Sequence, residues 1–273
     1  MRVEDIDGPR TVSAAVTGNA AELRWLGLDW DEGPDVGGPH APYRQSERTD
    51  RYARILGYLQ LHDLTFECWL SRSDLRELAS APHGDIPAYG PRERQLNARS
   101  AAARQAAGRK PAIRLKGPET AGAALLEFTD LLAGRRRFEV GTAVGDIVLQ
   151  RADGLWAYQL AVVADDIAMG IREVVRGNDL LSSTAAQLVL YHALEAPPPT
   201  FLHLPLLLDE TGARLSKRGG ALSLQELRQA GADPARVSGL LAHTLGLSRV
   251  LRPLSPAELL AELPADWLHL LHR

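Results

Sequence analysis

Apolar positions in this chain change their spacing several times, and each change marks a boundary between elements. Arg2 to Asp7 is a short strand-like run closed by a Gly8-Pro9 turn. From Thr11 to Leu26 the apolar residues recur at Val12, Val16, Ala20, Leu23 and Leu26, close to helical spacing, and Gly27 follows where a helix ends. Asp29 to Pro42, rich in Asp, Gly and Pro, predicts a long exposed loop. Ser46 or Thr49 can then cap a helix reaching about Leu61, with Tyr52, Ile55, Leu56, Leu59 and Leu61 on its apolar side. Leu64 to Leu70 predicts a strand, Ser73 opens another helix with Glu77 four residues on, and Gln95 to Ala107 predicts a further helix after a turn-rich stretch.

Short strands dominate from Ala112 to Tyr158: Ala112–Leu115, Leu126–Thr129, Phe138–Val140 and Asp146–Gln150, then Trp156 onward. This stretch predicts a mostly antiparallel insertion. Tyr158 to Val163 is a near-continuous apolar run, as in a strand buried on both faces. Ser183 to Leu194 predicts a helix leading through prolines to a strand at His203–Leu208, and the tail from Leu222 reads as helices broken at Gly231–Pro234 and Arg252-Pro253. Strands separated by helices imply a parallel sheet and an α/β class.

Composition narrows the functional classes. The 273 residues hold one cysteine, Cys68, which can make neither an internal disulfide nor a thiolate metal site alone. No apolar stretch approaches the roughly 20 residues that cross a bilayer, and the opening is acidic and polar, so a cytoplasmic protein without membrane contact is expected. A net charge of −3 makes any nucleic-acid contact local. Of the 31 basic residues, 28 are arginine, and only Lys110, Lys116 and Lys217 are lysine. Lys217 stands out because a lysine offers a compact mobile ammonium where arginine offers a rigid fork.

Four segments carry candidate chemistry. Arg214 to Gly220 (RLSKRGG) is a glycine-flanked loop with cations at Arg214, Lys217 and Arg218, suited to neutralising a polyphosphate, and equally a solvated basic turn. Glu173 to Leu181 puts Arg176 at the carboxyl end of a strand, where open α/β sheets bind ligands; it can hold a carboxylate or close an internal ion pair. Tyr158, at the mouth of the apolar strand, is either a core residue or a ligand contact. Glu4, Asp5 and Asp7 crowd the first strand, but alternation separates Glu4 from the other two, which excludes one metal cluster without a bend.

Taken in order, VEDIDGPR, YRQSER (Tyr43 to Arg48), WAYQLAVVADD, VVRGNDLL and HLPLLLDETGARLSKR resemble the glutamyl branch of the class I aminoacyl-tRNA synthetases over residues 1 to 220. The similarity is strongest to its short stand-alone members, which attach glutamate to the queuosine base of tRNA(Asp). The resemblance implies a Rossmann-like parallel sheet with an inserted α+β acceptor-type subdomain and a short helical C-terminal segment. It divides the chain into residues 1–66 and 146–220 for the nucleotide-binding fold, 67–145 for the insertion and 221–273 for the tail. It implies L-glutamate, ATP with Mg²⁺, and tRNA(Asp) bearing queuosine as partners of a monomer. Glu4 matches the residue that holds the amino acid's ammonium, and Tyr158 and Arg176 match the pair that recognises its carboxylate end. Arg214, Leu215, Ser216, Lys217 and Arg218 match the mobile ATP loop, with Lys217 as the catalytic lysine.

Two departures from the family shape the expectations. The family opens with a βα unit of roughly thirty residues or more, bearing an Arg-Phe-Ala-Pro-Ser and a His-Ile-Gly-His-like motif. This chain begins inside the family's second strand, so a start site placed too far downstream or a truncated chain is expected. The family's zinc site, Cys-x-Cys followed by Tyr-x3-Cys, here falls on Cys68, Leu70, Tyr89 and Glu93. Leucine donates nothing to a tetrahedral zinc, so no zinc is expected and Cys68 is expected to be a small buried hydrophobe. Only 56 residues follow Lys217, which favours the stand-alone members over a glutamyl-tRNA synthetase with its anticodon-binding region. A truncated enzyme charging tRNA(Glu), and a non-catalytic remnant that binds RNA or a partner, are the alternatives. Arg135-Arg136-Arg137 is expected in a solvated turn.

Overall fold

The computed structural model describes residues 1–6, 13–71, 73–75, 88–208 and 223–272. Where the sequence is strongly periodic it folds as its pattern predicts. Helix α1 (Ser13–Trp25) ends before Gly27, whose φ of +84° is a conformation that favours glycine. Helix α2 (Thr49–Leu61) buries Tyr52, Leu56 and Leu59. Two details of α2 differ from expectation. Its N-cap is Arg48 and makes no side-chain capping bond, so neither Ser46 nor Thr49 has that role. Leu61, in the last turn, is 84% exposed.

Strand β1 (Thr65–Cys68) pairs antiparallel with β2 (Ala112–Leu115), which pairs antiparallel with β5 (Ile147–Gln150). Helix α3 (Pro91–Ala106) carries proline at its first position, and the Glu93 carboxylate caps its start. A short helix, α4 (Gly117–Thr120), leads to a hairpin of β3 (Leu125–Asp130) and β4 (Gly134–Glu139). Arg135, Arg136 and Arg137 therefore lie within a strand and not in a turn, with Arg135 and Arg137 paired to Glu127 across the ladder. The antiparallel reading of this region holds for both ladders, but β3 also joins β7 (Thr200–Leu204) in parallel at Asp130 and Phe201. With β6 (Glu173–Gly177) parallel to β7, the second sheet runs β4-β3-β7-β6.

The main correction concerns Tyr158 to Val163. It is the start of helix α5 (Tyr158–Ala168) and not a strand. Alternation cannot arbitrate a run that is apolar at nearly every position, because a helix buried on most sides has the same composition. Leu160, Ala161, Val163 and Ala164 of α5 are packed with Leu59, Leu115, Leu149, Val189 and Leu190. Each fully buried leucine or valine there contributes roughly 1.5–3 kcal/mol relative to exposure. Helix α6 (Leu181–Ala193) completes this core with Ala185, Val189 and Leu190, and the Tyr52 ring meets Trp156 edge-on at 5.9 Å between centroids.

The opening segment is not a full strand either. Val3 makes a single parallel bridge to Arg44, donating to the Tyr43 carbonyl at 2.8 Å and accepting from the Gln45 amide at 2.9 Å. The tail forms α7 (Leu224–Gln229), α8 (Pro234–Thr244) and α9 (Pro256–Glu262), with Ser223, Asp233 and Ser255 as side-chain caps. No helix among the described residues is long and apolar enough to cross a membrane.

Candidate active site

The register of two elements opens a cleft of about 760 Å³ beside the edge of the parallel sheet. On one wall, α5 presents Tyr158, Val162 and Asp166, with Met169 at its C-cap, a stripe at steps of four, four and three residues that follows one face of a helix. The facing wall is Glu173 to Arg176 of β6, the edge strand of its sheet among the described residues, and the rim is Arg2 and Glu4 on either side of the buried Val3. Glu4, Tyr158 and Arg176, predicted from separate motifs, thus share one cavity. Asp7, Glu77 and the whole segment Arg214, Leu215, Ser216, Lys217, Arg218 lie outside the described residues.

Charges in the cleft are coupled. Arg2 donates to Glu4 at 2.9 Å and to Asp166 at 2.5 Å, so it ties the rim to α5. Burial works against the Arg2 cation, but the two carboxylates more than offset it and raise its pKa. Burial lifts the Asp166 carboxyl above the ordinary carboxylate range, and Arg2 only partly opposes this. The Tyr158 phenol is raised by burial and by the Glu4 charge, with Arg176 pulling the other way. Burial depresses the Arg176 guanidinium, partly countered by Tyr158 and Asp166.

Arg176 is positioned with care. Its Nε donates to His203 Nε2 at 3.0 Å and its Nη2 to Thr184 Oγ1 at 2.7 Å. Its guanidinium lies 5.4 Å from the centre of the Phe201 ring. Five N–H donors are not exhausted by such contacts, so the fork retains capacity for a carboxylate. Among the described residues Arg176 makes no ion pair with an aspartate; the side chains that accept its hydrogen bonds are those of His203 and Thr184. Behind the cleft, the YRQSER segment is fixed by one carboxylate: Asp165 accepts from Gln45 at 3.0 Å, Arg48 at 2.6 Å and Tyr52 at 2.8 Å.

Arg2, Asp166, Thr184 and His203 were not singled out from sequence. Asp166 stands eight residues after Tyr158, and helical phase would have placed both on one face; the strand assignment hid it. The positions matching the family's zinc ligands have other partners. Cys68 is buried with its Sγ 3.7 Å from the Leu70 carbonyl. The Tyr89 hydroxyl donates to the Glu93 carbonyl at 3.3 Å, and the Glu93 carboxylate accepts from the Gly90 amide at 2.9 Å. With one side chain offering no donor and another occupied in capping, this set does not fit a tetrahedral zinc. Among the described residues no three His, Cys, Asp or Glu side chains group to hold a metal.

Known proteins show the same arrangement of chain. Residues 1–247 match the family model described as tRNA synthetases class I (E and Q), catalytic domain. The chain is 49% identical over 263 residues to a glutamyl-Q tRNA(Asp) synthetase of Symbiobacterium thermophilum, covering 95% of this chain and 80% of that protein. It is 40% identical over 245 residues to glutamate–tRNA ligase 2 of Acidithiobacillus ferrooxidans, covering 89% of this chain and 50% of that one. The crystal structure of a glutamate-tRNA synthetase from Elizabethkingia anophelis superposes with a TM-score of 0.80 at 28% identity, over 96% of this chain and 58% of that chain. The sheet, the cleft and these matches together place this chain in the catalytic-domain family of the class I tRNA synthetases for glutamate and glutamine.

Proposed function

We propose that this chain binds L-glutamate in the cleft, activates it with ATP, and transfers the glutamyl group to the queuosine base of tRNA(Asp). The observation that carries the reading is the meeting of Glu4, Tyr158 and Arg176 in one cavity from three distant parts of the sequence. Glutamate presents one ammonium and two carboxylates. Glu4, with Asp166 beside it, supplies negative charge for the ammonium, while Arg176 and the Tyr158 phenol supply a cation and a donor for the side-chain carboxylate.

With those ends held, the α-carboxylate attacks the α-phosphate of ATP. A bond forms from the carboxylate oxygen to phosphorus, and pyrophosphate leaves with the electron pair of the bond that breaks. Negative charge grows on the departing phosphates, and the role proposed for Lys217, in the Arg214-Leu215-Ser216-Lys217-Arg218 loop, is to stabilise it. Mg²⁺ is expected with the ATP phosphates; zinc has no part in the proposal. An RNA hydroxyl then attacks the activated carbonyl and AMP leaves. No protein nucleophile is needed, so the contribution of the chain is orientation and charge.

The queuosine-directed branch is supported by relatives named glutamyl-Q tRNA(Asp) synthetase at 49% and 46% identity, against 40% for a glutamate–tRNA ligase. The same reading makes the protein a cytoplasmic monomer. The test is glutamate-dependent exchange of pyrophosphate into ATP, followed by transfer onto tRNA(Asp) with and without queuosine. Exchange with transfer only to the queuosine-bearing RNA is the expected result. Charging of tRNA(Glu) supports the second reading, which the 40% identity over 89% of the chain favours. Absence of exchange contradicts both.

A further inference from the structure

Arg176 is held from behind by a buried chain of polar groups that the proposed chemistry does not touch. In the parallel ladder Arg176 stands opposite His203, so the two side chains lie on one face of the sheet. Arg176 Nε donates to His203 Nε2 at 3.0 Å. An arginine has donors and no acceptor and keeps its protons, so Nε2 must present its lone pair and the ring proton must sit on Nδ1. That Nδ1 lies 2.6 Å from Asp130 Oδ2, at the end of β3, and neither side chain has exposed surface. The other carboxylate oxygen, Oδ1, accepts the backbone amides of Leu132 at 3.0 Å and Ala133 at 2.7 Å, with the His203 amide at 3.4 Å.

We infer that Asp130 and His203 are positioning residues for glutamate recognition: Asp130 fixes the Nδ1-protonated form of His203, and the lone pair this leaves on Nε2 aims the Arg176 fork into the cleft. Thr184, accepting from Nη2 at 2.7 Å, sets the second point of the same plane. The inference rests on the proposal that Arg176 holds glutamate.

A nearly isosteric substitution separates this role from that of a simple turn-former. In Asp130→Asn the amide oxygen stays where three backbone amides converge, which turns the NH₂ group toward His203 Nδ1. The ring must then accept at Nδ1 and carry its proton on Nε2, where it meets the N–H of Arg176. A turn-forming Asp130 tolerates asparagine; a relay does not. Calorimetric titration of L-glutamate into the full chain is expected to show binding weakened about tenfold or more in Asp130→Asn, the scale of one lost hydrogen bond to a charged group. Imidazole ¹⁵N shifts are expected to report the proton of His203 moving from Nδ1 to Nε2.

A second pair keeps the test decisive should that variant unfold. His203→Gln keeps an acceptor oxygen for Arg176 Nε and is expected to bind glutamate within about threefold of the unsubstituted chain, whereas His203→Leu is expected to lose about tenfold or more. Equal glutamate affinity across Asp130→Asn, His203→Leu and the unsubstituted chain overturns the relay and leaves the function reading in place. Failure of the unsubstituted chain to bind glutamate overturns both.

Discussion

Asp165 and Asp166 are adjacent in the sequence and belong to different regions of the molecule. A helix turns about 100° per residue, so α5 sends one carboxylate inward and its neighbour to the cleft. Asp165 has no exposed side-chain surface and is surrounded by donors from Gln45, Arg48 and Tyr52. Arg48 in turn donates to the carbonyls of His40 and Pro42, which anchors the loop ahead of α2. Among the described residues Asp166 meets one donor residue, Arg2, and it lines the cavity. The first carboxylate holds helices and a loop together; the second faces the cavity in which glutamate binding is proposed. The comparison teaches that burial with saturated hydrogen bonding marks architecture, while burial with spare capacity marks a site.

Substitutions on the two faces break this contrast apart. The largest effect is expected from Asp165→Ala, which leaves the buried Arg48 cation without its counter-charge. Urea unfolding is expected to show a loss of roughly 3–5 kcal/mol. Next comes Arg176→Ala, expected to raise the KM for glutamate about thirtyfold or more in pyrophosphate exchange, because a charge-assisted contact is worth about 2 kcal/mol or more. The KM for ATP is expected to hold, while Lys217→Ala is expected to lower kcat with the glutamate KM unchanged. Similar patterns from both would contradict the division of roles.

A smaller effect is expected at Asp166. Asp166→Asn removes charge near the ammonium and is expected to raise the glutamate KM by about tenfold or less with little change in unfolding free energy. The pH dependence carries a definite sign. The Asp166 carboxyl is raised above its ordinary value of 3.8 in the folded chain. Such a group contributes stability below that value and loses it as the pH climbs through the raised one, because the folded state there holds the extra proton. Across that window, unfolding free energies of the unsubstituted chain are expected to fall relative to Asp166→Asn as pH rises. A difference that moves the other way would mean that Arg2 outweighs the cost of burial.

Much of the fold was legible where polar and apolar residues alternate with a clear period. Helices α1, α2, α3 and α6 appeared within a few residues of their observed ends, as did β1, β2, β3 and β5. The failures are equally specific. In α5 the apolar run lacks the polar positions that would reveal its phase, and in β4 three successive arginines masked a strand whose outward faces are paired to Glu127. For the proposed site, Glu4, Tyr158 and Arg176 could be named as candidates because each lies in a segment with recognisable chemistry, and the structure brings the three to one cavity. Arg2, Asp166 and His203 could not be, because their roles depend on helix phase and on which residues face one another across β6 and β7. At the zinc-like positions the expectation rests on sequence chemistry alone, since a leucine offers a metal no donor.

The most direct measurement is a crystal structure of this chain with L-glutamate bound. The account predicts the ammonium within hydrogen-bonding distance of Glu4 and a carboxylate against Arg176 and the Tyr158 hydroxyl. Glutamate seated elsewhere, with those three side chains facing only solvent, would contradict it.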